Sequence, residues 1–283
     1  GWPVDGVGLR SGSSGEIDIV RDDGSKVGTV SRGRASEVVH DGAVYLHAGQ
    51  HYRVVDLDLE AGCAVVEPDD GSTVTSVVSR MDLRIHGADE ARASGPMTLA
   101  VGPITVTTRV TGYVRKDAFS SEVIERVGLD LPPAVLDTRG VWRVIPDEVL
   151  AGIGLHPDDW PGVLHAAEHA AIGVLPLFAI CDRWDVGGIS TARHVDTGAP
   201  TIVICDGYPG GAGIAELGFA AAEQHWSMTE QVIAACPCRS GCPSCVQSPK
   251  CGNGNEPLDK DGARRLLRAS VPDAQLPARR AAG

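Results

Sequence analysis

Cys236-Pro237-Cys238-Arg239-Ser240-Gly241-Cys242-Pro243-Ser244-Cys245 sets four thiols within ten residues, and the reading of the C-terminal half starts there. Thiolates are soft ligands that suit Zn²⁺, and four of them close a tetrahedral site. The Cys-x-x-Cys step at Cys242 and Cys245 bends the chain so that both sulfurs face one centre. Gly241, just before it, is free to take the positive φ such a bend needs. Cys236 and Cys238 supply the second pair. A fifth cysteine, Cys251, lies beyond Pro249. The expected ligands are Cys236, Cys238, Cys242 and Cys245, the tightest set; the competing set exchanges Cys236 for Cys251. The spacing does not match the ferredoxin runs, which disfavours an iron–sulfur cluster. A closed site leaves no open position, so its expected role is in folding and not in catalysis.

Five of the eight cysteines fall between 236 and 251. Neighbours this close cannot all pair as disulfides with acceptable geometry, so the cluster reads as metal-binding. Cys63, Cys181 and Cys205 stand singly in apolar surroundings and read as inert core thiols.

Hydrophobic residues make up 43% of the 283, enough for buried cores, while aromatics are only 4%, so Val, Leu, Ile and Ala must fill them. The net charge of −12 argues against a generally basic, nucleic-acid-coating surface. The sign is uneven: from Cys236 onward eight Lys/Arg face four Asp/Glu. That tail is either a loose basic end or a DNA-contacting one. The apolar stretch 166–180 is too short to span a membrane and contains Pro176. The chain opens Gly1-Trp2-Pro3 with no signal-peptide pattern, which reads as an excised or processed end of a soluble, intracellular protein.

Upstream, short apolar runs alternate with turn signals from about residue 7 to 85, among them Asp22-Asp23-Gly24 and Asp69-Asp70-Gly71. Strands spaced this tightly predict a small antiparallel barrel or sandwich. Residues 85–96 are polar and turn-rich, a linker by composition. Residues 97–114 alternate with β-branched residues and predict two strands bent at Gly102-Pro103; 141–145 predicts another. Asp158-Asp159-Trp160-Pro161 opens a helix to about Leu175, ended by Pro176. Residues 201–205 form a continuous apolar run, a buried strand. Helices are predicted over 214–225, 229–235 and 259–269, with a frayed end from Pro272. The expected architecture is α+β: a small antiparallel β-barrel-like N-terminal domain (1–90), then a mixed α/β module (97–283) with a four-cysteine zinc site (cluster 236–251).

Three further patterns carry chemistry. His165-Ala166-Ala167-Glu168-His169 puts two imidazoles and a carboxylate on one helix face. It reads as an ordinary polar face; the alternative is a zinc metallohydrolase with Glu168 as base and a third ligand from Asp182, Asp185 or Glu216. Asp206-Gly207-Tyr208-Pro209-Gly210-Gly211-Ala212-Gly213 lies between a strand and a helix. It matches neither the Walker A nor the dinucleotide pattern, and reads as a tight turn, with anion binding the alternative. Arg32 and Arg34, near Tyr45, His47, His51 and Tyr52, are either surface arginines or a small nucleic-acid face.

Residues 165–188, the Asp206–Gly213 loop and the run 236–253 (ending Cys245-Val-Gln-Ser-Pro-Lys250-Cys251-Gly-Asn253) together resemble the MrfA-type zinc-binding domain of RecQ-related superfamily 2 DNA helicases. Val44-Tyr-Leu-His47-Ala-Gly-Gln50 and Leu57-Asp-Leu-Glu60 resemble the region preceding it. The resemblance implies a C-terminal accessory region of a 3′–5′ ATP-dependent DNA helicase in DNA repair, with one structural Zn²⁺ on Cys236, Cys238, Cys242 and Cys245. ATP and Mg²⁺ would belong only to upstream RecA-like motor domains, since this chain has neither a Walker A loop nor an Asp-Glu-x-His box. The expected role is to brace that motor and guide the single-stranded DNA it translocates, with Arg239, Lys250 and Arg264 as candidate contacts; high Arg over Lys and abundant Ala and Gly point to a GC-rich bacterial source, hence a bacterial, cytoplasmic, nucleoid-associated setting.

Overall fold

A computed structural model describes residues 15–270. The Gly1-Trp2-Pro3 start and the expected frayed end from Pro272 lie outside them. The chain divides into two compact units: residues up to Asp82 with Val106–Leu136, and Leu83–Thr105 with the residues from Asp137 onward.

In the first unit, β1 (Glu16–Arg21) and β2 (Lys26–Ser31) form a hairpin, and α1 (Arg32–Val38) follows. Strands β3 (Val44–His47), β4 (Gln50–Asp58) and β5 (Cys63–Asp69) complete a five-stranded sheet in the order β2-β1-β5-β4-β3. Three neighbouring pairs are antiparallel, as expected of a small β-barrel-like domain; β1 and β5 run parallel. Alternation does the packing: Ile17 and Ile19, Tyr52 and Val54, and Ala64 and Val66 share one buried face with Ala35 and Val39. The helix α1 stands where turn-bounded apolar runs predicted only strands. Ala35 and Val39, the residue that caps α1, are four apart, so the helical turn brings both to the same core.

The remaining strands are β6 (Thr73–Ile85), β7 (Glu90–Ser94), β8 (Met97–Asp117), β9 (Val123–Gly128), β10 (Ala134–Val144), β11 (Val186–Thr191) and β12 (Thr201–Asp206). They form a seven-stranded sheet in the order β11-β12-β10-β8-β6, with β7 and β9 also paired to β8. Two expectations change here. The segment read as a linker contains β7, zipped antiparallel to β8 from Glu90↔Val101 to Ser94↔Met97. And β8 passes through Gly102-Pro103 as one strand. A Cβ at Gly102 would stand 2.3 Å from the Gly87 carbonyl oxygen, so glycine there admits a close backbone pass and not a bend.

The helices of the second unit are α2 (Asp147–Gly152), α3 (Trp160–Val174), α4 (Ile214–Ala220), α5 (Ala222–Ala235) and α6 (Lys260–Ala269). The break at Ala221 divides what the sequence reads as one helix, and residues 229–235 belong to α5. Helix α3 is buried nearly all round: Val163, Leu164, Ala166, Ala167, Ala170 and Ala171 are each at most 1% exposed. Small alanines let β12, α5 and α6 approach it together, and every residue of β12 is buried. Each fully buried Leu or Ile here contributes about 1.5–3 kcal/mol. Helix α6 docks at the start of α3, where the Asp259 amide donates to the Gly162 carbonyl at 3.0 Å. Among the described residues no helix is long and apolar enough to cross a membrane.

Candidate metal centre

Helix α5 ends at Ala235, and Cys236 takes an extended conformation that carries the chain away from the helix axis. Two turns then return it. Gly241 has φ 122°, and a Cβ there would lie 2.6 Å from the Val246 side chain, so both backbone and space demand glycine. The amides of Cys245 and Gln247 donate to the Cys242 carbonyl at 3.0 and 3.2 Å, and the Cys242 amide points at the Cys245 sulfur at 3.4 Å. Val246 is fully buried in the core of the unit and anchors the knuckle.

The result is a closed group of four sulfurs. Sγ–Sγ separations are 3.6 Å for Cys236–Cys238, 3.5 Å for Cys236–Cys242, 3.5 Å for Cys238–Cys245 and 3.7 Å for Cys242–Cys245. A tetrahedron of Zn–S bonds of 2.3 Å has edges of about 3.8 Å. Donor type, number and spacing therefore fit one Zn²⁺. Lys260, at the start of α6, donates its ammonium to the carbonyls of Cys236 (2.8 Å) and Cys238 (2.6 Å) and to the Cys238 sulfur (3.2 Å). Burial raises the Cys238 thiol, but Lys260 and the neighbouring thiols outweigh it and bring it down to about 6. No cysteine spacing predicts this lysine.

Cys251 stands apart from the four and joins His165 and His169. The two imidazoles meet on α3 with ring centroids 4.2 Å apart, as their spacing predicts. Glu168 does not join them. It accepts from the Ser190 hydroxyl at 2.6 Å, and burial holds its carboxyl up at about 7. Nor do the acids considered as a third ligand. Asp185 accepts from Tyr208 and the Asp182 amide, and Glu216 pairs with Arg139. The hydrolase arrangement is thus absent: the base points to β11, away from the imidazoles.

The Asp206–Gly213 loop resolves as a turn. The buried Asp206 carboxylate itself accepts from the amides of Ala212, Ile214 and Ala215 at 2.5, 3.2 and 2.8 Å. The N–H groups that might have held an anion are already taken by a residue of the chain. Cys205 is buried, and that burial pushes its thiol up to about 12, while Cys63 and Cys181 are only half-buried.

The candidate nucleic-acid residues are largely engaged within the chain. Lys250 donates to the carbonyls of Arg183 and Val186 at 2.9 and 2.8 Å and lies 5.2 Å from the centre of the Trp184 ring. Arg264 bonds Glu230 at 3.3 Å, and Arg32 donates to the Leu59 carbonyl. Arg239 is exposed, and Arg34, also exposed, is not without a partner.

An α+β module that closes four thiols around one point defines a zinc-binding domain. The family profile described as the MrfA Zn-binding domain matches residues 167–246, which include all four cysteines of the group. The ATP-dependent helicase YprA of Bacillus subtilis is 31% identical over 251 residues, covering 87% of this chain and 33% of YprA. The protein MJ1572.1 of Methanocaldococcus jannaschii is 38% identical over 107 residues, 37% of this chain and 96% of its own length. A crystal structure of the DUF1998 helicase MrfA bound to DNA superposes with a TM-score of 0.66 at 28% identity, covering 95% of this chain and 36% of that one. The chain belongs to the MrfA zinc-binding family and corresponds to a C-terminal region of MrfA/YprA-like helicases. It spans about a third of the length of those helicases.

Proposed function

We propose that this chain is the accessory zinc-binding region of an ATP-dependent 3′–5′ DNA helicase acting in DNA repair. Cys236, Cys238, Cys242 and Cys245 hold one structural Zn²⁺, which when bound supplies folding free energy to the second unit. The chain's own residues do the rest. Lys260 offsets the charge of the thiolates, and the burial of Val246 ties the knuckle to the core. Nucleotide and Mg²⁺ chemistry belongs to RecA-like motor domains of the parent protein. This region steadies that motor and guides the single strand it moves. The expected setting is the bacterial cytoplasm at the nucleoid.

The observation that carries this reading is the group of four sulfurs lying within 4.8 Å of one another, in a chain similar over nearly its whole length to a helicase solved with DNA. Arg239, exposed within the cysteine run, is the proposed strand contact, with Arg32, Arg34, Lys250 and Arg264 as further candidates. The test is fluorescence anisotropy of a labelled oligonucleotide with the zinc-loaded chain. Tighter binding to single strands than to duplex, weakening between 50 and 200 mM salt and in Arg239→Ala, supports the reading. No binding at low salt would leave a structural scaffold.

A further inference from the structure

Cys251 and the two histidines of α3 form a second group with metal-ligand geometry. His165, His169 and Cys251 each offer one ligand atom, all within 4.8 Å of one another, and the Cys251 sulfur is 3.4 Å from His165 Nε2. The other ring nitrogens are already committed. His165 Nδ1 is 2.9 Å from the Pro257 carbonyl, and His169 Nδ1 is 2.9 Å from the Val246 carbonyl. A carbonyl only accepts, so both Nδ1 atoms carry a proton, and in the neutral rings both Nε2 atoms present a lone pair. Backbone carbonyls orient metal-binding imidazoles in this same way.

Proton accounting strengthens the case. One thiol proton can serve one of the two Nε2 atoms. Among the described residues no hydrogen bond reaches His169 Nε2. A cation between the three donors satisfies all of them at once. Cys251 is also held in place. The Asn255 amide donates to its sulfur at 3.2 Å. The Asn255 side chain clasps the Ser248 amide and carbonyl at 2.7 and 3.0 Å, closing the loop that presents the cysteine.

We propose that His165, His169 and Cys251 form a second zinc site, distinct from the four-thiolate centre, that fastens the segment 246–258 to α3. Two imidazole nitrogens and one thiolate are a borderline-soft set that suits Zn²⁺. Three protein ligands leave the fourth position to water, so this ion exchanges faster than the one enclosed by four sulfurs. Glu168 faces β11, so the site lacks the base that a hydrolase would use.

The test counts metal in the full chain, purified without chelator, saturated with Zn²⁺ and freed of excess by gel filtration. Two equivalents are expected in the wild type and one in Cys251→Ala and His165→Ala, whose far-UV circular dichroism should be unchanged. Saturation of the wild type at one equivalent, or two equivalents retained in folded Cys251→Ala, overturns the proposal. X-ray absorption at the zinc edge of the doubly loaded wild type decides without any variant. Nitrogen at about 2.0 Å beside sulfur at about 2.3 Å supports the site, and sulfur alone overturns it.

Discussion

Lys260 sets its ammonium 3.2 Å from the Cys238 sulfur while also bonding the carbonyls of Cys236 and Cys238. A zinc ion with four thiolates carries a net charge of −2, and this lysine, bonded to one of the sulfurs, offsets part of it. Lys260→Met should retain the metal but weaken its affinity by about 10–100-fold, the usual effect of losing an outer partner of a metal ligand. Competition with a chromophoric chelator measures it. An unchanged affinity would mean that the lysine serves only the backbone.

Cys242 supplies one sulfur and, through its carbonyl, accepts from the amides of Cys245 and Gln247. Cys242→Ser keeps the turn but removes a soft ligand. It should lose the tightly held ion and destabilise the second unit by about 3 kcal/mol, or about 6–12 °C in Tm. Calorimetry with parallel metal analysis reads both. A chelator added to the wild type should reproduce the shift.

Glu223 accepts from Arg92, including Arg92 Nη2 at 2.9 Å, and from the Ser94 hydroxyl at 2.9 Å. The Arg92 hydrogen bonds, against the opposing effect of burial, hold its carboxyl down at about 2, below the ordinary 4.5. A folded value below the unfolded one gives stability that is complete above about pH 5 and lost as pH falls toward 2. At pH 7 the wild type should exceed Glu223→Gln by about 1–3 kcal/mol, allowing for the partial exposure of the pair. The gap should close near pH 2–3 in urea titrations. Comparing the two proteins at each pH removes the effect of metal loss in acid, which both share. A gap that does not change with pH counts against the ion pair.

Asp206 is fully buried and answers three amides at the start of α4. Asp206→Ala strands those donors in the core and should cost about 2–4 kcal/mol. Asp206→Asn keeps an acceptor and should lose about half as much. Urea unfolding of both variants tests the ordering, and equal losses would contradict it.

Much of this could be read along the chain. The acidic residues and Pro161 announce α3, the run Thr201–Cys205 announces β12, and the cysteine spacing announces the four-sulfur group. What could not be read depends on partners far away in sequence. Lys260 reaches the cluster only because α6 folds back onto α3, and Cys251 meets His165 across 86 positions. Lys250 and Arg264 look like free cations in one dimension, yet each has an internal partner in three. The helix α1 escaped notice because seven residues between turn signals carry too few apolar positions to reveal a 3.6-residue period.

The order of these groups along the chain bears on how the module is made. During synthesis all four cysteines leave the ribosome before Lys260. A nascent chain can therefore gather its thiols while the compensating ammonium is still to come. That ammonium arrives only when α6 has been translated and has settled against α3, where a Cβ at Gly262 would stand 2.4 Å from the Val163 side chain. Tight retention of the ion thus marks the completed module, and a chain truncated before residue 260 would be left with a loosely held metal.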